Sequence, residues 1–274
     1  MNIGFRYGFY GDNCLYKLDA DLNVSVDYYK ELKELLKIKK VKNYFLARVG
    51  NNDKDGGYIM VNDFLESGGI AYSFGINREY SWDAELAERG YDVYMYDHTI
   101  GGYSLTNDGF HFFKEGLGRN FQVTGPLNSV KNYVLRNLHK DKKNMILKID
   151  TEGAEWDFLE TVETSTLMQF DQIIMEVHGL VKACPEEYWK NRLNLLRKLN
   201  ETHQLIHLHS NNSSYLLELG NSCFADVVEV TYALKDKYEF ADVENLELPI
   251  SSDYPNDAGR PDVVLGRWND ELVV

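Results

Sequence analysis

The chain has 274 residues, and its 43 acidic against 29 basic side chains give a net charge of −14 at pH 7. This excess of negative charge repels phosphate backbones and disfavours a nucleic-acid partner. No apolar run approaches the ~20 residues that a membrane-spanning helix needs, and charges among the first residues do not fit a signal peptide. Three widely spaced cysteines disfavour a disulfide framework, so we expect a cytoplasmic protein.

The first 68 residues show no regular alternation of strands and helices. Apolar spacing from Val26 to Lys40 predicts an amphipathic helix, and Asp55-Gly56 between two apolar runs predicts a β-hairpin. We interpret residues 1–68 as a small N-terminal cap. We interpret the basic run from Lys37 to Lys42 as a solvated face rather than a phosphate-binding patch.

From residue 69 onwards, strands and helices alternate, which is typical of a largely parallel sheet covered on both faces. The predicted strands are Ile70–Ile76, Asp92–Asp97, Phe110–Lys114, Asn144–Asp150, Asp171–His178, Gln204–His209 and Val227–Leu234. The predicted helices are Glu79–Arg89, Leu127–Leu138, a helix after Asp150 that runs to about Met168, and Glu186–Asn200. We interpret residues 69–234 as one α/β domain and the acidic residues 235–274 as a tail that wraps or extends.

The most informative stretch is the apolar run Met145–Ile149, which ends abruptly in Asp150 and leads into a helical pattern. Ligands of open α/β sheets bind at the carboxyl ends of the strands, so an acid at this strand tip is well placed for chemistry. The following acids, Glu152 and Glu155, are explained equally well by the dipole of the helix that begins there.

A second candidate site begins at the turn Ser73-Phe74-Gly75, after the first strand. Asp97 ends the second strand about twenty residues later, where a carboxylate can accept hydrogen bonds from both hydroxyls of a ribose. The G-x-G-x-x-G pattern of dinucleotide folds is absent. An adenosine ligand without a pyrophosphate, typically S-adenosylmethionine, therefore fits better than NAD. The structural alternative is that Asp97 caps the next turn.

Several segments resemble motifs of the FkbM-like S-adenosylmethionine-dependent methyltransferases. These are Asp55-Gly56-Gly57-Tyr58, Tyr72-Ser73-Phe74-Gly75-Ile76, Tyr80-Ser81-Trp82-Asp83, Val93–Ile100 and Leu147–Trp156, the last being similar to the K-I-D-x-E-G-A-E signature. The resemblance covers about Arg48 to Asn212. It implies an α/β fold with a seven-stranded Rossmann-like methyltransferase sheet, strand order 3-2-1-4-5-7-6, with the seventh strand antiparallel.

Carried over residue by residue, the resemblance implies a cofactor site for S-adenosylmethionine at the switch point of the sheet. Gly75 would face the methionine part, Asp97 the ribose, and Asp150 the opposite side of the crevice. The other residues implied in cofactor binding are Ser73 and Phe74 of the same turn, His98 and Thr99 beside the ribose or adenine, and Gly116 and Leu117 beside the adenine.

Glu176 and His178 share one face at the end of the predicted fifth strand. Because an unpaired buried charge is costly, we expect them to converge with Asp150 on the neighbouring strand. His178 could then act as a general base beside Asp150, or all three residues could hold Mg²⁺ or Mn²⁺. The resemblance favours the metal, because related sugar O-methyltransferases use Mg²⁺ or Mn²⁺ in this way. The structural alternative is a salt bridge at the sheet edge.

The H-x-H-x-N-N run at the end of the sixth strand supplies further candidates. We assign His209 a catalytic role and Asn211, with Tyr58, a contact with the acceptor, which requires the loop 210–222 to fold back; His207 is interpreted as structural. The expected function is O-methylation of a small or carbohydrate-linked acceptor, in bacterial capsule or surface-glycan biosynthesis. The alternatives are an NAD-dependent oxidoreductase and a non-catalytic binding module with the same fold.

Overall fold

A computed structural model describes residues 4–6, 15–17, 26–63, 68–101, 107–118, 125–181 and 186–274. The strands in these ranges are β1 (Gly4–Arg6), β2 (Leu15–Lys17), β3 (Lys39–Val41), β4 (Leu46–Gly50), β5 (Gly57–Val61), β6 (Gly69–Phe74), β7 (Tyr91–Tyr96), β8 (Phe110–Phe113), β9 (Gly116–Leu117), β10 (Leu127–Asn128), β11 (Met145–Ile149), β12 (Phe170–His178), β13 (His203–Ser210), β14 (Leu216–Leu219), β15 (Ser222–Ala225), β16 (Val227–Leu234), β17 (Phe240–Asp242), β18 (Glu247–Leu248) and β19 (Gly266–Arg267). The helices are α1 (Val26–Leu35), α2 (Ser81–Glu88), α3 (Val130–Arg136), α4 (Ala154–Thr161), α5 (Thr164–Leu167) and α6 (Glu186–Thr202).

Seven strands form the central mixed sheet, in the order β8-β7-β6-β11-β12-β16-β13. Numbered as they follow one another in the chain, they lie in the order 3-2-1-4-5-7-6. The strand β16 runs antiparallel to both of its neighbours, and the strands from β8 to β12 run parallel to one another. The predicted α/β class and the predicted seven strands of the sheet are confirmed.

The sheet is buried on both faces because its central strands are apolar at consecutive positions. Ile146 and Ile174 pack into the hydrophobic cluster on one face, whereas Leu147 and Ile173 belong to the cluster on the other. This alternation is the period of two that a strand imposes on its side chains. Each such fully buried side chain contributes about 1.5–3 kcal/mol, so the central strands form a stable platform for the loops at their ends.

Several predicted helices are shorter than the sequence pattern indicated. The predicted helix Leu127–Leu138 begins only at Val130, since Ser129 caps it and the two residues before that form β10. The helix predicted up to Met168 is divided into α4 and α5, because Val162 adopts an extended backbone. In both places, tertiary pairing and caps determine the boundary rather than apolar spacing.

The predicted hairpin near the N-terminus is confirmed as the antiparallel pair β4 and β5. The predicted helix from Val26 to Lys40 stops at Leu35, and Lys39–Val41 pairs instead with β17 of the C-terminal tail. Lysines of the basic run form ion pairs with acids: Lys37 with Glu34, Lys39 with Asp242 and Lys42 with Glu239. These pairs support its interpretation as a solvated face.

The N-terminal and C-terminal segments both pack onto the main body. Helix α1 buries Tyr29 and Leu32 in the same cluster as one face of the sheet, while β1 pairs with both β2 and β14 in a four-stranded sheet of order β15-β14-β1-β2. In the tail, the buried indole of Trp268 donates to the carbonyl of Leu36 (2.8 Å). The tail therefore wraps the body and contributes to its core.

None of the described helices combines the length and apolar composition needed to cross a lipid bilayer. Of the three cysteines, Cys14 and Cys184 lie outside the described residues, and Cys223 is a half-buried free thiol.

Candidate functional site

A cavity of about 550 Å³ lies at the carboxyl ends of β6, β7, β11 and β12. The adjacent strands β6 and β11 continue into connections on opposite sides, so the cavity occupies the topological switch point of the sheet. It brings together most of the predicted site residues, namely Tyr58, Gly75, Asp97, His98, Thr99, Gly116, Leu117, Asp150, Glu176 and Asn211. Asp97 and Asp150 thus open onto the same space from opposite sides.

Gly75 forms the turn between β6 and the cavity, and its conformation excludes any other residue. Its φ is +78°, and a Cβ atom there would lie 1.5 Å from the carbonyl oxygen of Asp150. Only glycine is compatible with both constraints. The prediction explained this glycine by the approach of a ligand. The structure adds a second reason, because the backbone at Asp150 occupies the position that a Cβ atom of residue 75 would take.

Ser73 and Phe74 are not among the residues that line the cavity, and their contact with the cofactor stays a prediction. Both side chains are completely buried. Phe74 stacks on Tyr96 at 4.9 Å between ring centroids, in the core beneath the turn. Their position supports the turn from below, because inward-facing residues of a central parallel strand are covered on both faces.

Asp97 holds the loops on the cofactor side of the cavity. One carboxylate oxygen accepts from the amides of Ile76 (3.0 Å) and Asn77 (2.8 Å), and the other accepts from the amide (2.8 Å) and hydroxyl (2.6 Å) of Thr99. Burial opposes ionisation, but these hydrogen bonds outweigh it and lower the pKa of Asp97. They use the roughly four acceptor positions of a carboxylate. The alternative interpretation, a cap of the next turn, fits this geometry, and ribose hydroxyls would have to share these positions.

The predicted convergence of Asp150, Glu176 and His178 is present. One ligand atom from each of the three lies within 4.8 Å of those from the others. The hydroxyl of Tyr58 donates to Asp150 (3.2 Å), and the amide of Asn211 donates to Glu176 (2.7 Å). The loop after β13 therefore folds back across β16, as the predicted role of Asn211 requires.

Glu155, on the first turn of α4, fixes the orientation of His178. Its buried carboxylate accepts from the backbone amide of His178 (2.8 Å) and pairs with Nδ1 of the same residue (3.1 Å). Its other oxygen accepts from the amide of Gly153 (2.9 Å). The helix-dipole interpretation explains only where Glu155 lies, whereas these bonds connect it to the candidate site.

The surroundings of His178 do not favour its predicted role as a general base. Nε2 lies 3.3 Å from carboxylate oxygens of both Glu152 and Glu176. Burial favours the neutral ring, but the hydrogen bonds and charges of Glu155 and Glu176 outweigh it and raise the pKa of His178 to about 11. A pKa shifted in this direction favours the protonated ring, which is poorly suited to accept a proton.

Asp150 is the better candidate for a base. Burial raises its pKa, Lys148 opposes the shift, and the charge of Glu176 adds to it, so that the pKa of Asp150 lies at about 7. General bases act best when their pKa lies near the working pH. Burial and the charge of Asp150 also raise the pKa of Tyr58, so its hydroxyl remains a hydrogen-bond donor to Asp150.

Sequence reasoning missed Lys148, although it belongs to the signature. Its amine is almost completely buried, donates to the carbonyl of Gly75 (3.1 Å) and lies 5.3 Å from the ring centre of Tyr58. A lysine inside an otherwise apolar strand was the available signal, because a buried charge needs a partner. Asp55 and Glu79, which also line the cavity, were not assigned either.

His209, for which a catalytic role was predicted, does not line the cavity. Both of its ring nitrogens have carboxylate partners at 3.1 Å, Glu229 at Nδ1 and Asp262 at Nε2. Burial favours the neutral ring, but these two acids raise the pKa of His209 to about 10. The neighbouring His207 pairs with Asp253 (3.0 Å), as its structural interpretation requires. These pairs fasten the tail to β13.

The pair formed by His209 predicts a pH-dependent stability. The folded-state pKa of about 10 lies above the unfolded value of about 6.5. The stabilisation is therefore complete below pH ~6.5 and is lost as the pH rises towards 10. We would measure the free energy of unfolding by urea titration at pH 6.5, 8 and 10. Between pH 6.5 and pH 10, we expect this free energy to fall by several kcal/mol more in wild type than in His209→Asn. Parallel stability curves would contradict this origin, and His111→Asn, at an exposed pair with Asp92, is the control.

No protein-family model matches the chain, and no curated protein has a significant match to it. The chemistry of the cavity therefore has to be inferred from its own residues.

Proposed function

We propose that the chain is an S-adenosylmethionine-dependent methyltransferase that methylates a hydroxyl of a small or carbohydrate-linked acceptor. The observation that carries this proposal is the cavity at the switch point, onto which Asp97 and Asp150 open from opposite sides. The sheet order and the antiparallel β16 agree with the fold that the FkbM-like resemblance implies. The setting in bacterial capsule or surface-glycan biosynthesis is part of the proposal and depends on that resemblance.

The cofactor would lie along the β6 and β7 side of the cavity. The turn at Gly75 would contact the methionine part, and the loop held by Asp97 would contact the ribose. The adenine would lie near His98 and Leu117. The volume of about 550 Å³ is within the range of small-molecule sites.

S-Adenosylmethionine supplies an electrophilic methyl group. On the β11 and β12 side, Asp150 would accept the proton of the acceptor hydroxyl while its oxygen bonds to the methyl carbon and the bond from carbon to sulfur breaks. The hydroxyl of Tyr58 orients Asp150, and Asn211 orients Glu176. His178, held by Glu155, keeps positive charge beside these two carboxylates.

Binding measurements test the proposal without knowledge of the acceptor. In calorimetry we expect S-adenosylmethionine or its demethylated product, S-adenosylhomocysteine, to bind with one-to-one stoichiometry. NAD should not bind at the same concentration, because the turn at Gly75 lacks the later glycines that a pyrophosphate needs. Absence of binding by both adenosine ligands at millimolar concentration would contradict the proposal, and binding of NAD alone would favour the oxidoreductase.

As an alternative state of the same site, we propose that Asp150, Glu176 and His178 hold a divalent cation, which would replace the proton on Nε2 of His178 and engage Asp150 as a ligand rather than as the base. The donor set fits, because two carboxylates suit Mg²⁺ and Mn²⁺ and an imidazole is a further common ligand. Glu155 pairs with Nδ1 of His178 and directs Nε2 towards Glu176, which is the usual support of a metal-bound histidine. The cation would lower the pKa of the acceptor hydroxyl.

The cation site predicts a single Mn²⁺ binding event. We expect calorimetry to detect it in wild type and to lose it in Glu176→Gln, since one of three ligands loses its charge. Glu152→Gln is the matched control, because that side chain is 87% exposed and outside the cluster. Chelator should suppress methyl transfer and Mn²⁺ should restore it; full activity in chelator, or equal Mn²⁺ binding by Glu176→Gln, would contradict the site.

A further inference from the structure

The charges around the cavity are strongly unequal. Six of its described lining residues carry carboxylates, namely Asp55, Glu79, Asp97, Asp150, Glu152 and Glu176. Among the same residues, Lys148 is the one whose side chain is permanently cationic. An occupant of the cavity is therefore surrounded by an excess of negative charge in a partly desolvated space, where charges interact more strongly than in water.

The single lysine is already engaged. Its amine donates to the carbonyl of Gly75 and lies over the ring of Tyr58. The ring of His178 forms ion pairs with three carboxylates, those of Glu152, Glu155 and Glu176. Neither cation is thus available to pair with a phosphate or carboxylate that enters from outside.

The acids differ in how strongly they act on an occupant. Glu152 is 87% exposed, so solvent and salt screen its charge. Glu176 is buried and accepts from Asn211 (2.7 Å), and Asp150 beside it is half-buried, whereas Asp55 is exposed although it accepts from the amide of Gly56 (2.8 Å) and from Asn256 (3.2 Å). The enclosed carboxylates on the acceptor side are the main source of the negative potential.

We propose that the cavity selects its occupants by positive charge. It binds the sulfonium S-adenosylmethionine more tightly than neutral S-adenosylhomocysteine, and it takes an acceptor that brings no phosphate or carboxylate inside. This inference depends on the proposed methyltransferase function and describes the site without the divalent cation, which would offset the charge of Asp150 and Glu176. Methyl transfer converts the sulfonium into a neutral thioether. The positive charge is carried away by the proton that the acceptor hydroxyl loses. The reaction therefore removes the attraction that held the donor and favours release of the product.

Calorimetry with both ligands, at low salt and in chelator so that no divalent cation changes the charge, tests this inference. We expect about tenfold tighter binding of S-adenosylmethionine, equivalent to ~1.4 kcal/mol, and a ratio that decreases as salt is added. Equal binding, or tighter binding of the product, would overturn charge selection while leaving the methyltransferase proposal intact. Absence of binding by both ligands would instead refute the methyltransferase proposal and this inference with it.

Two matched variants locate the effect. Glu176→Gln is expected to reduce the affinity ratio of the two ligands, whereas Glu152→Gln, the same change at an exposed position, is expected to leave it unaltered. An unchanged ratio in Glu176→Gln would contradict the assignment to the enclosed carboxylates. The salt dependence in wild type tests the electrostatic origin even if a variant does not fold.

Inorganic phosphate serves as a probe for anionic acceptors. We expect no phosphate binding in chelator at millimolar concentration, and no competition with S-adenosylmethionine. Phosphate that binds and displaces the donor would overturn the exclusion of anionic acceptors.

Discussion

Asp150→Asn is expected to lower the rate of methyl transfer by about 10²–10⁴-fold, the usual contribution of a general base. Asparagine has the shape of aspartate and can still accept the hydrogen bond from Tyr58, but it cannot take a proton. Because Asp150 is half-buried beside Glu176 and has a raised pKa, its ionised form is costly to the folded state, so the variant should remain folded. Affinity for the adenosine ligands should change only a few-fold.

The measurement is transfer of a labelled methyl group to a panel of monosaccharides. Glu152→Gln is the control for removal of an acid from the rim of the same cavity, and its rate should stay near that of wild type. Unchanged transfer in Asp150→Asn would refute the role of Asp150. Loss of both transfer and cofactor binding would show a structural role instead.

Gly75→Ala is expected to destabilise the folded protein by more than ~4 kcal/mol, a size reserved for severe steric or buried-charge defects. Its Cβ would lie 1.5 Å from the carbonyl oxygen of Asp150, so the ends of β6 and β11 would have to separate. Those ends also carry the two sides of the cavity. Partially folded protein should therefore lose ligand binding as well as stability.

Gly266→Ala is a close control for this substitution. Gly266 has a similar φ of +69°, but a Cβ there meets nothing within 4 Å. The Gly266→Ala substitution should lower the free energy of unfolding by only ~1–2 kcal/mol, the cost of a non-glycine residue in the left-handed conformation. Urea unfolding of both variants distinguishes the cost of the left-handed backbone, which both share, from the steric clash with Asp150, which only Gly75→Ala has. Equal losses would contradict the close approach of the two strand ends.

The sequence was sufficient to predict the strands and the edge at which the site lies. Apolar runs such as Met145–Ile149 coincide with observed strands, and acids at strand ends meet because parallel strands share one carboxyl edge. Asn211 lies at the cavity for a similar reason, since it follows a strand that ends at the same edge, and its contact with the acceptor stays a prediction. These inferences depend on local pattern and on sheet geometry, both of which a sequence carries.

Contacts between distant segments could not be predicted in this way. The partner of His209 at Nε2 is Asp262, more than fifty residues away in the tail, and no periodicity connects them. His178 was predicted to be a base because Glu155, whose carboxylate raises the pKa of the ring, was attributed to a helix dipole. Likewise, the strand Lys39–Val41 exists only because β17 pairs with it. In each case a tertiary partner determined the role of the residue.

The most direct test of the central claim is a crystal structure of the protein soaked with S-adenosylhomocysteine. We expect its adenosine in the cavity between the turn at Gly75 and Leu117, with its sulfur facing Asp150 across the switch point. A product molecule bound elsewhere, or one whose sulfur faces away from Asp150, would contradict the proposed site.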